Sequence, residues 1–170
     1  NEVLGGSTTS RLTMDLRETK GWAYGAGTSL PGVKDTIPLL VYAPVQTDKT
    51  GESIIAARQD IKDFLTTKGT TEAERNQTIN GQILSLPGSF ETSSDLLGAM
   101  MRNSLIGRAD DFYETLPNIY RAMTAADFDK AAREAINADG LIWVVVGDAK
   151  LVRPQLDAVG LPVEVGTLAD

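Results

Sequence analysis

The sequence of 170 residues contains no cysteine and no histidine. The lack of cysteine excludes disulfide bonds and thiolate chemistry, and it leaves the redox compartment open. The lack of histidine excludes His-dependent catalytic triads. Together the two absences exclude the usual catalytic zinc sites, which need at least one imidazole or thiolate ligand. We therefore expect no metal and no cofactor in this chain, with carboxylate sites for hard cations as the remaining metal chemistry.

Basic clusters and long apolar runs are also missing. The chain carries 16 Lys and Arg against 23 Asp and Glu, a formal net charge of −7. An acidic chain without a basic run argues against nucleic acid and against an anionic membrane surface as partners. No apolar run approaches the ~20 residues of a transmembrane helix, so we expect no membrane span. The length suits one domain, residues 1–170, with a substantial core.

The most informative stretch covers residues 11–30, RLTMDLRETKGWAYGAGTSL. Leu12 and Leu16 share one helix face, and a cation followed by glycine, Lys20-Gly21, is typical of a helix end. From Trp22 the pattern has a period of two, which predicts a strand. The larger residues Trp22, Tyr24, Ala26 and Thr28 are predicted to share one face. The small residues Ala23, Gly25, Gly27 and Ser29 form the other face, which allows close approach of another backbone.

Arg17 and Tyr24 are the candidate functional pair. They lie seven residues apart on either side of the predicted helix–strand turn, so a guanidinium and a phenol can point into one cleft from rigid supports. The alternative is structural, since a helix-end arginine is usually a surface residue and a strand tyrosine usually packs. The other candidate, Asp110-Asp111, is the nearest approach to a carboxylate metal site, but it precedes Phe112 as a helix-capping pair would.

The remaining pattern predicts an α+β fold with strands at both ends of the chain and a run of helices between them. A turn at Pro31-Gly32 leads to a second strand with Ile37, Val41 and Val45 at alternate positions, which can form an antiparallel hairpin with the first. Pro38 and Pro44 favour an edge position or a bulge there. Residues 163–165 are predicted to form a final strand.

Helices are predicted over 51–68, closed by Gly69, and from a Thr71–Glu74 capping box to Pro87. Further helices are expected from Thr92 or Ser93 to Gly107, over about 111–123 with a break or start at Pro117, from Thr124 onward, and over 150–158. The uncharged run LIWVVV, residues 141–146, predicts a strand that is covered on both faces.

Several motifs occur in an order that resembles one known family. They are LGG at 4–6, SRL at 10–12, LRETKGWAYG at 16–25, FET at 90–92, MTAADF at 123–128 and WVVVGD at 143–148. Together they resemble the C-terminal, non-catalytic domain of the insulinase/pitrilysin zinc metallopeptidases, the inverzincins. That family includes mitochondrial processing peptidase and many bacterial two-domain enzymes. The resemblance extends over nearly the whole chain.

The resemblance implies a mainly antiparallel sheet covered by helices, forming one half of a clamshell around a peptide. In the family the N-terminal half carries His-x-x-Glu-His and the zinc. The other half supplies an Arg and a Tyr spaced as Arg17 and Tyr24 are, which reach toward the substrate carbonyl. The implied partners are a homologous catalytic domain or subunit, which holds the zinc, and a peptide substrate. The chain alone is then expected to have no enzymatic activity, and a bacterial periplasmic or cell-envelope setting is compatible with the resemblance.

One departure concerns the start of the chain, because family domains usually begin with a strand and a helix before LGG. The opening NEVLGG is typical of a helix already under way, closed by Gly5 and Gly6, which predicts a domain truncated at its N-terminal side. We expect self-association through that side or a rearranged edge. Two other functions stay open: a non-proteolytic assembly subunit similar to the core proteins of a respiratory complex, and a binding module in which Arg17 and Tyr24 only pack.

Overall fold

Capping residues set where several helices begin in the computed structural model of the chain, which describes residues 1–31 and 38–166. The Thr71 side chain accepts a hydrogen bond from the Glu74 backbone N–H, and the Glu74 carboxylate accepts from the Thr71 N–H, so the predicted capping box is confirmed. Thr92 and Thr124 make the same reciprocal bonds with Asp95 and Asp127. Each box satisfies N–H groups that the first helical turn leaves free.

Seven α-helices and two short strands follow one another along the described part of the chain. The helices are α1 (Arg11–Thr13), α2 (Thr50–Leu65), α3 (Glu72–Ser85), α4 (Ser93–Ile106), α5 (Phe112–Ala122), α6 (Ala125–Ala135) and α7 (Ala149–Val159). π-helical turns at Glu2–Gly6 and Met14–Thr19 flank α1, and 3₁₀ turns occupy Thr47–Lys49, Pro87–Phe90 and Ala138–Gly140. The strands are β1 (Gly27–Ser29) and β2 (Leu40–Tyr42).

The sheet is an antiparallel pair in which Thr28 lies opposite Val41. The predicted hairpin is confirmed in its pairing, although the expected positions Gly32 and Ile37 lie outside the described residues. Helices predominate, however, and the described sheet has two strands. The prediction of a mainly antiparallel sheet therefore overestimated the strand content of the fold.

The buried core joins the N-terminal turns to α2. Its members are Val3, Leu4, Leu12, Leu16, Ala57, Ile61 and Phe64. The predicted i, i+4 pair Leu12 and Leu16 is fully buried. Ile61 lies one helical turn from both Ala57 and Phe64, so α2 presents one continuous apolar stripe to the first twenty residues. Burial of each such side chain stabilises the fold by roughly 1.5–3 kcal/mol relative to leaving the side chain exposed.

Close approach of the backbone occurs at Gly5, where the first π-helical turn crosses β1. A Cβ at Gly5 would lie 2.6 Å from the backbone nitrogen of Thr28 and as close to its side chain. Real Cβ atoms do not approach backbone atoms so closely, so only glycine fits at this crossing. The small face predicted for the first strand does meet another backbone here, since the Cβ that Gly27 lacks would lie 3.1 Å from the Gly5 carbonyl oxygen.

Three predicted boundaries differ from the structure. Helix α2 ends at Leu65 and not at Gly69, because Thr66 already leaves the helical conformation. Helix α5 begins after Asp111 and continues through Pro117, whose missing N–H is tolerated within the helix. Residues 163–165 are not in a strand.

The prediction for residues 141–146 was wrong in two respects. The run has no strand partner among the described residues, and its burial alternates with a period of two. Leu141 and Trp143 pack against the core, whereas Ile142, Val144 and Val146 are 90%, 84% and 85% exposed. The segment is therefore extended, but one apolar face is open to solvent. No helix in the described part of the chain is long and apolar enough to cross a membrane.

Candidate functional site

The candidate site lies at the junction between the second π-helical turn and the first strand. The turn Met14–Thr19 contains Arg17, and Gly21 ends it with a φ of +64°. The backbone N–H groups of Trp22 and Ala23 both donate to the Leu16 carbonyl, at 2.9 and 3.2 Å. Because Leu16 is fully buried, these bonds anchor the junction to the core. The predicted helix stop at Gly21 is confirmed, and only a left-handed residue allows so sharp a reversal.

A β-bulge sets the direction of Tyr24. Gly27 pairs with Tyr42, but the next bridge joins Ala23 to Val45, so three residues on one strand oppose two on the other. One extra residue reverses the alternation of side chains. Thr28 is consequently buried while Tyr24 is 89% exposed, and the prediction that the two share a strand face was wrong. Pro44, on the shorter side of the bulge, was the signal for this irregularity.

Arg17 and Tyr24 come together in the structure. The Arg17 guanidinium carbon lies 5.7 Å from the centre of the Tyr24 ring, within the range of a cation–π contact. Arg17 Nε also lies 3.2 Å from Glu18 Oε1, and both of these side chains are about half exposed. A guanidinium and a phenol thus face solvent side by side on anchored backbone. Such a pair can donate hydrogen bonds to the carbonyl oxygens or carboxylates of a ligand.

Two further cationic side chains lie near the ring of Trp22, beside this pair. The ammonium groups of Lys20 and Lys49 each lie 5.5 Å from its ring. Lys20 is also paired with Asp15, and Lys49 with Glu52 at 3.0 Å. The site is therefore built from cations over aromatic rings with acidic neighbours. The sequence analysis missed Lys49, since it lies 27 positions from Trp22 and no local periodicity relates the two.

Asp60 lies behind the junction, on the inward side of α2. One carboxylate oxygen is buried and makes no hydrogen bond to a described residue. Burial, and then the nearby charge of Asp15, raise the pKa of Asp60 to about 6, against the opposing effect of Lys20. Asp60 was not singled out from the sequence, although an acidic residue between Ala57 and Ile61 within the apolar stripe was a readable signal.

The described residues contain no group of three or more His, Cys, Asp or Glu side chains placed to hold a metal ion. Asp111 is the N-cap position of α5, as the alternative interpretation predicted, although its side chain makes no capping hydrogen bond. With no histidine or cysteine in the sequence, the chain does not offer the imidazole or thiolate ligands of the usual zinc sites.

Comparisons with known proteins identify a family and several structures to which this chain is similar. Residues 1–82 match the family described as Peptidase M16 inactive domain. Proteins named uncharacterized zinc protease in Mycobacterium tuberculosis and Mycobacterium bovis are 28% identical over 140 residues, which is 79% of this chain and 31% of each relative. The chain therefore spans less than a third of the length of these curated relatives.

Solved structures share the fold. The crystal structure of a peptidase M16 inactive domain from Pseudomonas fluorescens matches with a TM-score of 0.73 and 17% identity, covering 82% of this chain and 33% of that one. A conserved protein from Enterococcus faecalis and a protease from Helicobacter pylori each match with a TM-score of 0.61, at 21% and 18% identity. They cover 78% of this chain and 31% and 32% of theirs. The family resemblance predicted from the sequence motifs is confirmed over residues 1–82.

Proposed function

From the match of residues 1–82 to the family described as Peptidase M16 inactive domain, we propose that this chain is the substrate-binding, non-catalytic half of a zinc metalloendopeptidase. The zinc belongs to a homologous catalytic domain or subunit, and the two halves enclose a peptide as a clamshell. Curated relatives named zinc proteases support this assignment, as does the absence of histidine and cysteine from the sequence. By itself the chain hydrolyses nothing.

The observation that carries the proposal is the exposed Arg17–Tyr24 pair. Peptide hydrolysis places negative charge on the carbonyl oxygen in the transition state. Donors that are held in position before the reaction stabilise such charge best. Tyr24 is held out by the bulge, and Arg17 lies on a turn that is anchored through Leu16 to the core. We assign the Tyr24 O–H as a hydrogen-bond donor to the scissile carbonyl. The planar guanidinium of Arg17 donates to the same carbonyl or to the adjacent peptide backbone.

The experiment is steady-state kinetics on a short quenched peptide with the complete two-half enzyme. Loss of one oxyanion donor costs on the order of 10²–10³-fold in other enzymes. We expect Tyr24→Phe to lower kcat/KM by about tenfold to a hundredfold without changing the melting temperature. Arg17→Lys keeps the charge but loses the planar fork, so it should lower kcat/KM by a comparable factor.

The matched control is Tyr42→Phe. Tyr42 is also an exposed tyrosine of the same hairpin, 71% exposed, and it makes no cation–π contact with a described residue. Its kcat/KM should equal that of the wild type. Full activity in both Tyr24→Phe and Arg17→Ala would show that the pair only packs and that the proposed role is mistaken. In the alternative of a non-proteolytic assembly subunit, no partner sequence would contain His-x-x-Glu-His.

A further inference from the structure

One residue beyond the end of β2 reaches across to the junction that joins Arg17 to Tyr24. The backbone N–H of Gln46 donates to the Trp22 carbonyl at 2.8 Å. The side-chain amide of Gln46 donates to the carbonyl of the preceding residue, Gly21, at 3.0 Å. Two consecutive carbonyls of the junction are therefore held by a single residue, through its main chain and its side chain together.

Gly21 is the point in the junction where such a bond matters most. Its φ is +64°, and an added Cβ would meet nothing within 4 Å, so packing does not restrict this residue. Glycine has the widest conformational range of any residue, so the peptide group that follows it can turn readily. The Gly21 N–H donates to the Arg17 carbonyl at 3.1 Å, which fixes the side of Gly21 toward the π-helical turn. The bond from Gln46 fixes the other side, toward Tyr24.

The direction of Tyr24 depends on this backbone. Its side chain is 89% exposed, its ring lies against the Arg17 guanidinium, and its O–H makes no hydrogen bond to a described residue. A side chain with so few neighbours moves with the backbone that carries it. A rotation of the peptide group between Gly21 and Trp22 would therefore displace the phenol two residues further on. Misplacement of a reacting group by about 1 Å can lower a rate by up to about a hundredfold.

We propose that Gln46 is a positioning residue for Tyr24. Its side-chain amide locks the Gly21 peptide group and so holds the phenol O–H at the place where the scissile carbonyl develops charge. This role rests on the proposed function of Tyr24 as a donor to that carbonyl, and Gln46 itself does not touch the substrate. The Gln46 carbonyl also accepts the Lys49 N–H at 2.9 Å, which begins the turn that brings the Lys49 ammonium to the Trp22 ring. The junction is thereby tied to the start of α2.

A purely structural role for the same bond makes a different prediction. Gln46 is exposed, so the loss of its side-chain amide leaves no cavity in the core. If the bond only adds stability, its removal lowers the melting temperature and leaves the turnover of the folded enzyme unchanged. If the bond positions Tyr24, kcat falls while KM is retained, because the phenol acts on charge that develops in the transition state.

The test is steady-state kinetics of Gln46→Met in the complete two-half enzyme, with a short quenched peptide as substrate. Methionine keeps the length of the side chain and removes the donor. We expect kcat to fall about three- to tenfold, with KM within about twofold of the wild type, in an enzyme that thermal melts show to be folded. Gln46→Glu keeps the shape of glutamine but places a carboxylate, which can only accept, against the Gly21 carbonyl, so kcat should fall at least as far.

A double-mutant cycle distinguishes a role through Tyr24 from an independent effect. In the Tyr24→Phe background, Gln46→Met should change kcat by less than about twofold, since the O–H that Gln46 orients is already absent. The matched control is Gln59→Met. Gln59 is another exposed glutamine, and its amide donates to Asp63 at 2.6 Å within α2. The kcat of this control should equal that of the wild type.

Two results would overturn the positioning role and leave the proposed function of the chain intact. The first is a wild-type kcat in folded Gln46→Met when Tyr24→Phe is costly. The second is an equal loss of kcat from Gln46→Met in the wild-type and Tyr24→Phe backgrounds, which would mean that Gln46 does not act through the phenol. A silent Tyr24→Phe would instead overturn the proposed role of Tyr24, and the positioning role of Gln46 with it.

Discussion

Gly5 shows how one residue type decides whether two elements can cross. A methyl group at this position would overlap the Thr28 backbone, which cannot move without disturbing β1. Gly5→Ala should therefore destabilise the chain by about 1–3 kcal/mol, as overpacked sites do. Gly81 is the matched control, since it lies within α3 with open space around its Cβ.

Gly81→Ala should stabilise the chain by about 0.5–1 kcal/mol, because alanine loses less conformational entropy in a helix. Urea denaturation of both variants measures the difference. Equal behaviour of the two alanine variants would mean that the Gly5 crossing relaxes freely.

Asp60 makes stability depend on pH near neutrality. Its pKa is about 6 in the folded chain, above the ordinary value of 3.8. The folded state therefore binds the proton more tightly, so this contribution to stability is complete below pH ~4 and is lost as the pH rises through about 6. The charged groups that face Asp60 are Asp15, Lys20, Asp63 and Lys68.

Asp60→Asn removes the partly buried charge, so it should raise the free energy of unfolding at pH 7. The increase should be at most about 1 kcal/mol, because solvent screens a half-buried charge. It should leave stability at pH 4 nearly unchanged. Thermal melts between pH 4 and pH 7.5 test this, and a variant with the same pH profile as the wild type would show that the pKa of Asp60 is the same in the folded and unfolded states.

At the scale of the elements, Glu74 serves two structures at once. It completes the capping box of α3, and it accepts two hydrogen bonds of 2.8 Å from Arg11 in α1. Burial opposes ionisation, but the bonds from Arg11 and Thr71 lower the pKa of Glu74 to about 2. Since the folded pKa lies below the ordinary value of 4.5, this contribution to stability is present above pH ~4.5 and is lost as the pH falls toward 2.

Glu74→Gln should keep the cap but lose the charge, with a cost of about 1–2 kcal/mol at pH 7 that declines below pH ~4.5 and is lost as the pH approaches 2. Acid denaturation followed by circular dichroism measures it, with Asp95→Asn as the control in an exposed cap. A constant difference at every pH would assign the loss to packing and not to the ion pair.

The sequence predicted those elements whose causes are local. The caps at Thr71, Thr92 and Thr124, the stop at Gly21 and the hairpin pairing depend on a few neighbouring residues, and all are confirmed. The direction of Tyr24 was not predictable from alternation, because a bulge depends on the opposite strand. The exposure of residues 141–146 was mispredicted for a related reason: composition shows that a run can be buried, but only its neighbours decide which faces are covered.

At the scale of the whole molecule, the family resemblance is supported by several separated motifs, whereas the candidate site consists of two residues. The motifs predicted the resemblance that the comparison over residues 1–82 shows, and Arg17 and Tyr24 lie together as their spacing suggested. The cation Lys49 beside Trp22 and the acidic residue Asp60 required the fold, since they come from the turn that precedes α2 and from α2 itself.

The Arg11 side chain also determines which segments of the protein unfold together. Its guanidinium donates to the carbonyls of Lys68 and Gly69 and to Glu74, contacts that span 57 to 63 residues, and it lies 5.1 Å from the Phe64 ring. We therefore expect the N-terminal turns, α2 and the start of α3 to open as one cooperative unit. In native-state hydrogen exchange, amides near Leu16 and Ile61 should open with the same free energy. In Arg11→Met the amides near Leu16 should exchange first, splitting one cooperative unit into two.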